Sequence, residues 1–469
     1  MTAAGAATVN PYVIVGPRTQ TTGFGWSTST WGDSTWNTPR GTSSVVLDPG
    51  NWSLDNFGQV LVATIFDGET FTWDASATNP RAQRASKTTT NFQTTNNPTR
   101  SLMTLVSDRD RHLFHLGTET TIGNSATQDP MFIRFSDQEN LNSYAPTATN
   151  TAGTFRLDTG NKIQAALQGK DYVFVLTDNA AYVIQFVGPP FTFSVRQVGT
   201  NCGCIGQHAA SYVNGAIYRM SNEGGFFMYD GTVKALPCLV EDFVFTNKGD
   251  NLGINYTSGE LVYAGLNTLY SEVNWFYPKD GSSVVDRVVT YNYDENTWTT
   301  GTLARSTWVN SSLFSVPYAT EYSATGTGTF PTVQGVSSAN GSSIYYAHEV
   351  GNNQVDSAGN KTAITSFIQS GSFDLDVEGN GQFFMSMRRF VPDFKLISGN
   401  AQITINLSDF PTDTATSSPL GPFTINSSTD KVDTRARSRF ASLKVANTSV
   451  DESWRYGTFR ADIQPDGQR

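Results

Sequence analysis

Tyr291-Asn292-Tyr293-Asp294-Glu295-Asn296-Thr297-Trp298 sets two aromatic side chains two residues apart, follows them with an aspartate, and resumes with Thr-Trp. Alternate residues of an extended chain face the same way, so Tyr291 and Tyr293 share one face of a strand, and Asp-Glu-Asn favours a turn. The octapeptide reads as a strand, a tight turn and a returning strand. The same aromatic-x-aromatic-Asp step closes two other apolar runs, Phe71-Thr72-Trp73-Asp74 and Phe227-Met228-Tyr229-Asp230. Radial repetition of small sheets accounts for such recurrence, which predicts an all-β fold containing a β-propeller.

The third copy has the form of the outer edge of a kelch-type blade. Around it, strand candidates from Val45 to about Glu349 arrive as hairpins: Val60–Ala63 with Thr70–Trp73, Tyr172–Leu176 with Ala181–Ile184, Arg287–Tyr293 with Thr297-Trp298. At about 40 to 50 residues per blade this span predicts six or seven blades, six preferred. Residues 1–40 read as an extended Gly/Trp arm, 41–360 as the propeller with a polar Ser/Thr/Gly excursion near 311–332, and 361–469 as a C-terminal β-sandwich of longer alternating strands, among them Ser366–Asp374, Arg435–Val445 and Arg455–Asp462. Asn161–Gly169 is the best candidate for a short helix, with a polar turn as its alternative.

Composition sets limits. The 469 residues are 12% aromatic and only 15% charged, a profile for many short strands joined by polar turns. A net charge of −10 argues against a surface built to grip nucleic acid by its phosphates. No run is long and apolar enough to span a membrane, and no leader-like pattern opens the chain, so synthesis in a cytoplasm is expected. Three cysteines cannot all pair, and Cys202 and Cys204 are too close for an unstrained disulfide, which fits a reducing compartment.

Chemistry is sparse. Cys202-Gly203-Cys204, His208 and Cys238 gather soft ligands in one region, but a structural zinc site shows paired Cys-x-x-Cys or Cys/His knuckles, so small buried side chains in a Gly-rich turn are the better reading. Asp108/Asp110, Asp137/Glu139 and Glu241/Asp242 offer carboxylate pairs for glycoside cleavage, yet the sialidase-type turn motif survives only as fragments lacking its glycine, at Asp33–Trp36 and Asp294–Trp298. No nucleophile elbow, phosphate loop or zincin motif occurs, and His112, His115, His208 and His348 form no ligand set. The expectation is a protein that is no enzyme and carries no cofactor or metal. Trp26, Trp31 and Trp36 recur every five residues, neither a strand nor a helix period, and must be buried either on their own subunit or on a neighbour. Arg435, Arg437 and Arg439 alternate, so all three are expected on one strand face; pairing with carboxylates is favoured over phosphate contact and plain solvation. These six residues are the candidate interface.

The order of pieces resembles the nozzle, or tail tubular, proteins of short-tailed bacteriophages. Asn51–Gly58, Phe132–Asn140, Asn150–Gly153, Val187–Phe193, the block Phe226–Val244 and Trp454–Gly457 carry the resemblance over most of the chain. It implies a structural virion component in the tail: a homo-hexameric ring held by adaptor proteins beneath the portal, with tail fibres as further neighbours, forming part of the channel for DNA retention and ejection into the host. The family carries no catalytic residues. Six copies at −10 each carry about sixty negative charges, so an acidic lumen would let DNA slide without sequence-specific binding. The alternative function is a carbohydrate-binding propeller recognising the host surface.

Overall fold

The deciding octapeptide folds as a hairpin in the computed structural model: Arg287–Asn292 pairs antiparallel with Thr297–Gly301, with Tyr291 opposite Trp298. Asn296 takes the left-handed turn position at φ 55°, and its side chain accepts a 2.7 Å hydrogen bond from the Tyr291 hydroxyl. The structure describes residues 19–21, 44–46, 51–76, 96–246, 253–282, 284–323, 342–356, 359–375, 381–410 and 419–468. The chain divides into two compact units, Met1–His348 and Glu349–Arg469, earlier than the expected boundary at 360/361.

In the first unit β1 (Thr19–Thr21) pairs with β2 (Ser44–Val46), and six small antiparallel sheets then follow in chain order among the described residues. The first holds β3 (Trp52–Phe57), β4 (Val60–Ile65) and β5 (Thr70–Asp74). The second holds β6 (Met103–Val106), β7 (Leu113–Leu116), β8 (Phe132–Phe135) and β9 (Gly153–Arg156), and the third β10 (Ile163–Gly169), β11 (Tyr172–Thr177), β12 (Ala181–Gly188) and β13 (Thr192–Gly199). The fourth comprises β14 (Ala210–Val213), β15 (Ala216–Met220), β16 (Phe226–Tyr229) and β17 (Val233–Leu236). The fifth comprises β18 (Tyr263–Asn267), β19 (Glu272–Tyr277), β20 (Arg287–Asn292) and β21 (Thr297–Gly301). The sixth is β22 (Thr307–Val309), β23 (Tyr318–Ser323) and β24 (Ser342–Ala347). Among the described residues the only helices are α1 (Glu241–Phe245) and 3-10 turns at Ser125–Thr127 and Tyr256–Leu261.

Each copy of the aromatic-x-aromatic-Asp step ends the third strand of a sheet. In the second and third copies the aromatics pack that sheet onto the one before, Tyr229 lying 4.6 Å from Phe174 and Tyr291 and Tyr293 lying 5.9 and 6.3 Å from Tyr218, whereas in the first copy Phe71 lies 5.9 Å from Trp52 of its own sheet. The aspartate stays in the turn, where Asp230 pairs with Lys234 at 2.6 Å and Asp294 accepts from Ser271 at 2.6 Å. Apolar cores accordingly form in series: Phe57 and Val62 with Val106 and Leu113, then Phe114 and Phe135 with Phe193, then Phe226 with Trp275, then Phe276 with Trp308. The first strands also pack in series, β3 on β6, β6 on β10, β10 on β14, β14 on β18 and β18 on β22.

Two expectations in this unit are corrected. Ile163–Gly169 is a strand, since its Ile163 and Ala165 are buried against β11 and pairing there overrides helix propensity. The excursion near 311–332 begins as structure: Tyr318–Ser323 pairs on both sides, with β22 and β24. Residues 324–332 lie outside the described residues.

The second unit opens with the hairpin β25 (Asn353–Val355) and β26 (Lys361–Ala363). One sheet runs β27 (Ser366–Gln369), β33 (Phe440–Asn447), β30 (Ala401–Ser408), β31 (Leu420–Ile425) in spatial order; another runs β32 (Val432–Ser438), β28 (Met385–Val391), β35 (Arg460–Pro465); β29 (Phe394–Ser398) pairs with β34 (Ser453–Tyr456). Met385, Met387, Phe390 and Ala436 of the three-stranded sheet meet Ile403, Ile405, Leu443 and Val445 of the four-stranded one in a single core. The expected strand Arg435–Val445 is two strands in different sheets, broken at Arg439, and the expected strand Arg455–Asp462 is likewise divided between β34 and β35.

Candidate interaction surface

Along β32 burial alternates strictly: Thr434, Ala436 and Ser438 face the core, and Asp433, Arg435 and Arg437 face out. Arg435 and Arg437 thus share a face. Arg439 corrects the expectation, because it stands in the bend after the strand and is half-buried. Its guanidinium nevertheless returns toward Arg437, the two lying 5.0 and 4.1 Å from the ring of Phe384. Arg437 donates through Nε to Asp466 at 2.6 Å, and Arg439 donates to the Gly381 carbonyl at 3.3 Å. A guanidinium can lie flat on a ring while its edge serves a carboxylate, so Phe384 and Asp466 together hold Arg437.

The neighbouring strands extend this basic face. A bulge between Met387 and Arg389 leaves both Arg388 and Arg389 exposed on β28, Arg389 lies 3.7 Å from Asp462, and Arg460 lies 3.2 Å from Asp393. Sequence reasoning placed Arg460 near the arginine strand and missed Arg388 and Arg389. Consecutive arginines on a strand should face opposite ways, and only a bulge, which carries no signature here, brings them together. Trp26, Trp31 and Trp36 lie outside the described residues.

Of the remaining sequence candidates, the cysteines, Asp137 and Glu139 have partners or burial within the first unit. Cys202 and Cys204 are buried and free; the Cys202 amide donates to Asn179 O at 2.9 Å and the Cys204 amide to Thr177 O at 3.1 Å, and burial pushes the Cys204 thiol up to about 11. Among the described residues no three His, Cys, Asp or Glu side chains gather as a metal site would require. Asp137 spends Oδ1 on the Thr151 amide and hydroxyl at 2.8 and 2.7 Å; burial pushes it up, but these bonds outweigh that and hold it below the usual range. Glu139 faces Arg111 at 3.8 Å.

Two polar clusters had no sequence signal. Ser101 Oγ and His115 Nδ1 are 2.8 Å apart, the spacing of a nucleophile and its base, but both are fully buried and burial lowers His115 to about 3. At the strand starts, Lys162 bridges to Glu260 at 2.9 Å and covers the Phe66 ring at 4.8 Å, Asn51 donates to the Glu260 carbonyl at 3.2 Å, and His208 packs at a tilt on Tyr263, ring centroids 5.2 Å apart. Residues beside β3, β4, β10, β14 and β18 thereby converge, tying the first sheet to the third, fourth and fifth.

No protein-family model and no curated protein matches the chain. Solved structures similar to it include the extracellular domain of the one-component system BT4673 from B. thetaiotaomicron, at 11% identity over 58% of this chain and 30% of that chain, TM-score 0.33. The AfRom2 CNH domain matches at 10% identity over 59% of this chain and 79% of that chain, TM-score 0.35. BamB from Moraxella catarrhalis matches at 14% identity over 59% of this chain and 82% of that one, TM-score 0.30. The chain thus spans less than a third of the first of these and most of the other two, and none bears on its ligand, reaction or partner.

Proposed function

We propose that the chain is a non-enzymatic structural subunit of a short phage tail, one sixth of a nozzle ring that retains genomic DNA and passes it into the host. The observation that carries this reading is the series of six sheets, each first strand packed on the next, with Lys162, Glu260 and Asn51 linking the first, third and fifth across their starting ends. That pattern supports a six-bladed propeller with side chains at its centre, a rigid wall element rather than a pore. A passage for DNA is then formed between copies, and the resemblance in Asn51–Gly58, Phe132–Asn140 and Phe226–Val244 supplies the tail context. The candidate carboxylate Asp137 is committed to Thr151, which favours a structural over a hydrolytic role.

Electron microscopy of tails, or of the chain mixed with portal-proximal adaptor proteins, is the test. A six-fold ring containing this chain is expected. A chain missing from tails, or monomeric in the presence of adaptors, would end the proposal.

A further inference from the structure

We infer that the outer face of the β32-β28-β35 sheet is a carboxylate seat, filled by the acidic, apolar-tipped surface around α1 on a second copy of this chain. The pairing of β28 with β32 runs from Met387 opposite Ala436 to Arg389 opposite Asp433, and the irregularity between them sets the exposed Arg388 beside the exposed Arg435. Like charges opposite each other across a strand pair are destabilising unless an anion offsets them. The steps on either side are offset, Arg437 by Asp466 at 2.6 Å and Arg389 by Asp462 at 3.7 Å. No carboxylate among the described residues pairs with Arg388 or Arg435. Two adjacent planar forks fit carboxylates through paired N–H donors.

A surface of opposite character lies in the other unit. α1 covers the turn at Gly224 and Gly225, where Glu241 Oε1 is 4.0 Å from the place a Cβ on Gly225 would occupy. Glu241 and the turn residue Glu223 are exposed there, no cation among the described residues pairs with either, and Leu239, 93% exposed, stands alongside. Copies carrying −10 each repel one another unless a basic face meets an acidic one. Contact between two different faces is also the kind that closes a ring, and here the inference rests on the ring proposed above. Asp433, Asp462 and Asp466 lie among the arginines, so a protein surface with discrete carboxylates fits better than a polyphosphate chain.

The full chain would be followed by light scattering and negative-stain microscopy as wild type, R388E/R435E, E223R/E241R and the four-fold combination. Each reversal alone is expected to weaken association on the order of 100-fold without changing the circular dichroism, and the combination to restore it. If the reversals do not fold, R388Q/R435Q, which removes charge without adding repulsion, is expected to weaken association about tenfold. Rings that persist unchanged in all variants overturn this contact and leave the ring reading standing. A wild-type chain that never associates, even with adaptors, overturns both. Binding of a short DNA duplex that is lost in R388E/R435E also overturns the inference, since the seat would then serve phosphates.

Discussion

Gly203 sits where a side chain has no room. A Cβ there would lie 2.1 Å from the Asp178 carbonyl oxygen and 2.7 Å from the Asn179 amide nitrogen, both backbone atoms that cannot swing away. The flanking amides of Cys202 and Cys204 hold the segment against Asn179 and Thr177, so the Cys-Gly-Cys run is the seam joining the third sheet to the approach of the fourth. This close approach explains the spacing that invites a metal reading: the glycine is required by the backbone, and the cysteines are small residues filling the core on either side. Gly203→Ala is expected to cost about 3 kcal/mol, as overpacking at a rigid contact does. The urea midpoint measures it, with Cys238→Ala, at a half-buried thiol, as a control expected within about 1 kcal/mol of wild type. An unchanged midpoint for the alanine variant at 203 would show that the seam is looser than its geometry.

β27 raises a different question, since a four-residue edge strand exposes Phe367 and Ile368, 65% and 54% accessible, on opposite sides of the sheet. Edge strands are normally guarded by charge, proline or a bulge, and within Ser366–Gln369 there is none; only Lys444 reaches over the Phe367 ring, at 4.5 Å. Phe367→Lys with Ile368→Lys is expected to leave stability within about 0.5 kcal/mol and to lower concentration-dependent light scattering; scattering that does not change would show that this edge does not self-associate. Of the expected strand Ser366–Asp374 only Ser366–Gln369 is a strand, whereas the hairpins ending at Asp74, Asp230 and Asp294 were legible, because a period of two and a turn residue are local signals. The break at Arg439 was less so. Core-facing positions are even-numbered before it, at Thr434, Ala436 and Ser438, while the apolar core residues after it are odd-numbered, at Ala441, Leu443 and Val445, with Ser442 buried as well, so one bend reverses the parity and moves the chain to the other sheet. Gln164-Ala165-Ala166-Leu167-Gln168 was misread for the opposite reason: its residues favour helix by themselves, and only the partner strand β11 makes them extended. The shared face of Arg435 and Arg437 follows from alternation alone. Arg388 joins it from 47 positions away (435 − 388), through a bulge, and local sequence cannot announce that.

At the scale of the molecule, histidine is distributed unevenly, and this makes acid sensitivity a property of one unit. All four histidines fall in Met1–His348. Burial lowers His115 to about 3 and is also the main cause that lowers His112, His208 and His348, each to about 4. A histidine with an ordinary pKa near 6.5 when unfolded therefore binds its proton more readily in the unfolded chain than in the folded one. Stability contributed by keeping these rings neutral is complete above about pH 6.5 and is lost progressively as pH falls toward 4, each unit of separation being worth about 1.4 kcal/mol. Asp55 and Asp110, raised by burial, act in the other direction but only near the carboxylate range, after most of the histidine effect has been spent. Asp129 and Asp137, held below the usual range, withdraw further stability at still lower pH. Glu349–Arg469 has no histidine to titrate. Hydrogen exchange at pH 7, 6 and 5, corrected for the intrinsic pH dependence of exchange, should show protection falling in peptides of β6 to β21 while β28, β30 and β33 keep theirs. Equal loss in both units would mean that they unfold as one, and loss confined to the second would contradict the assignment of the histidines as buried neutral groups.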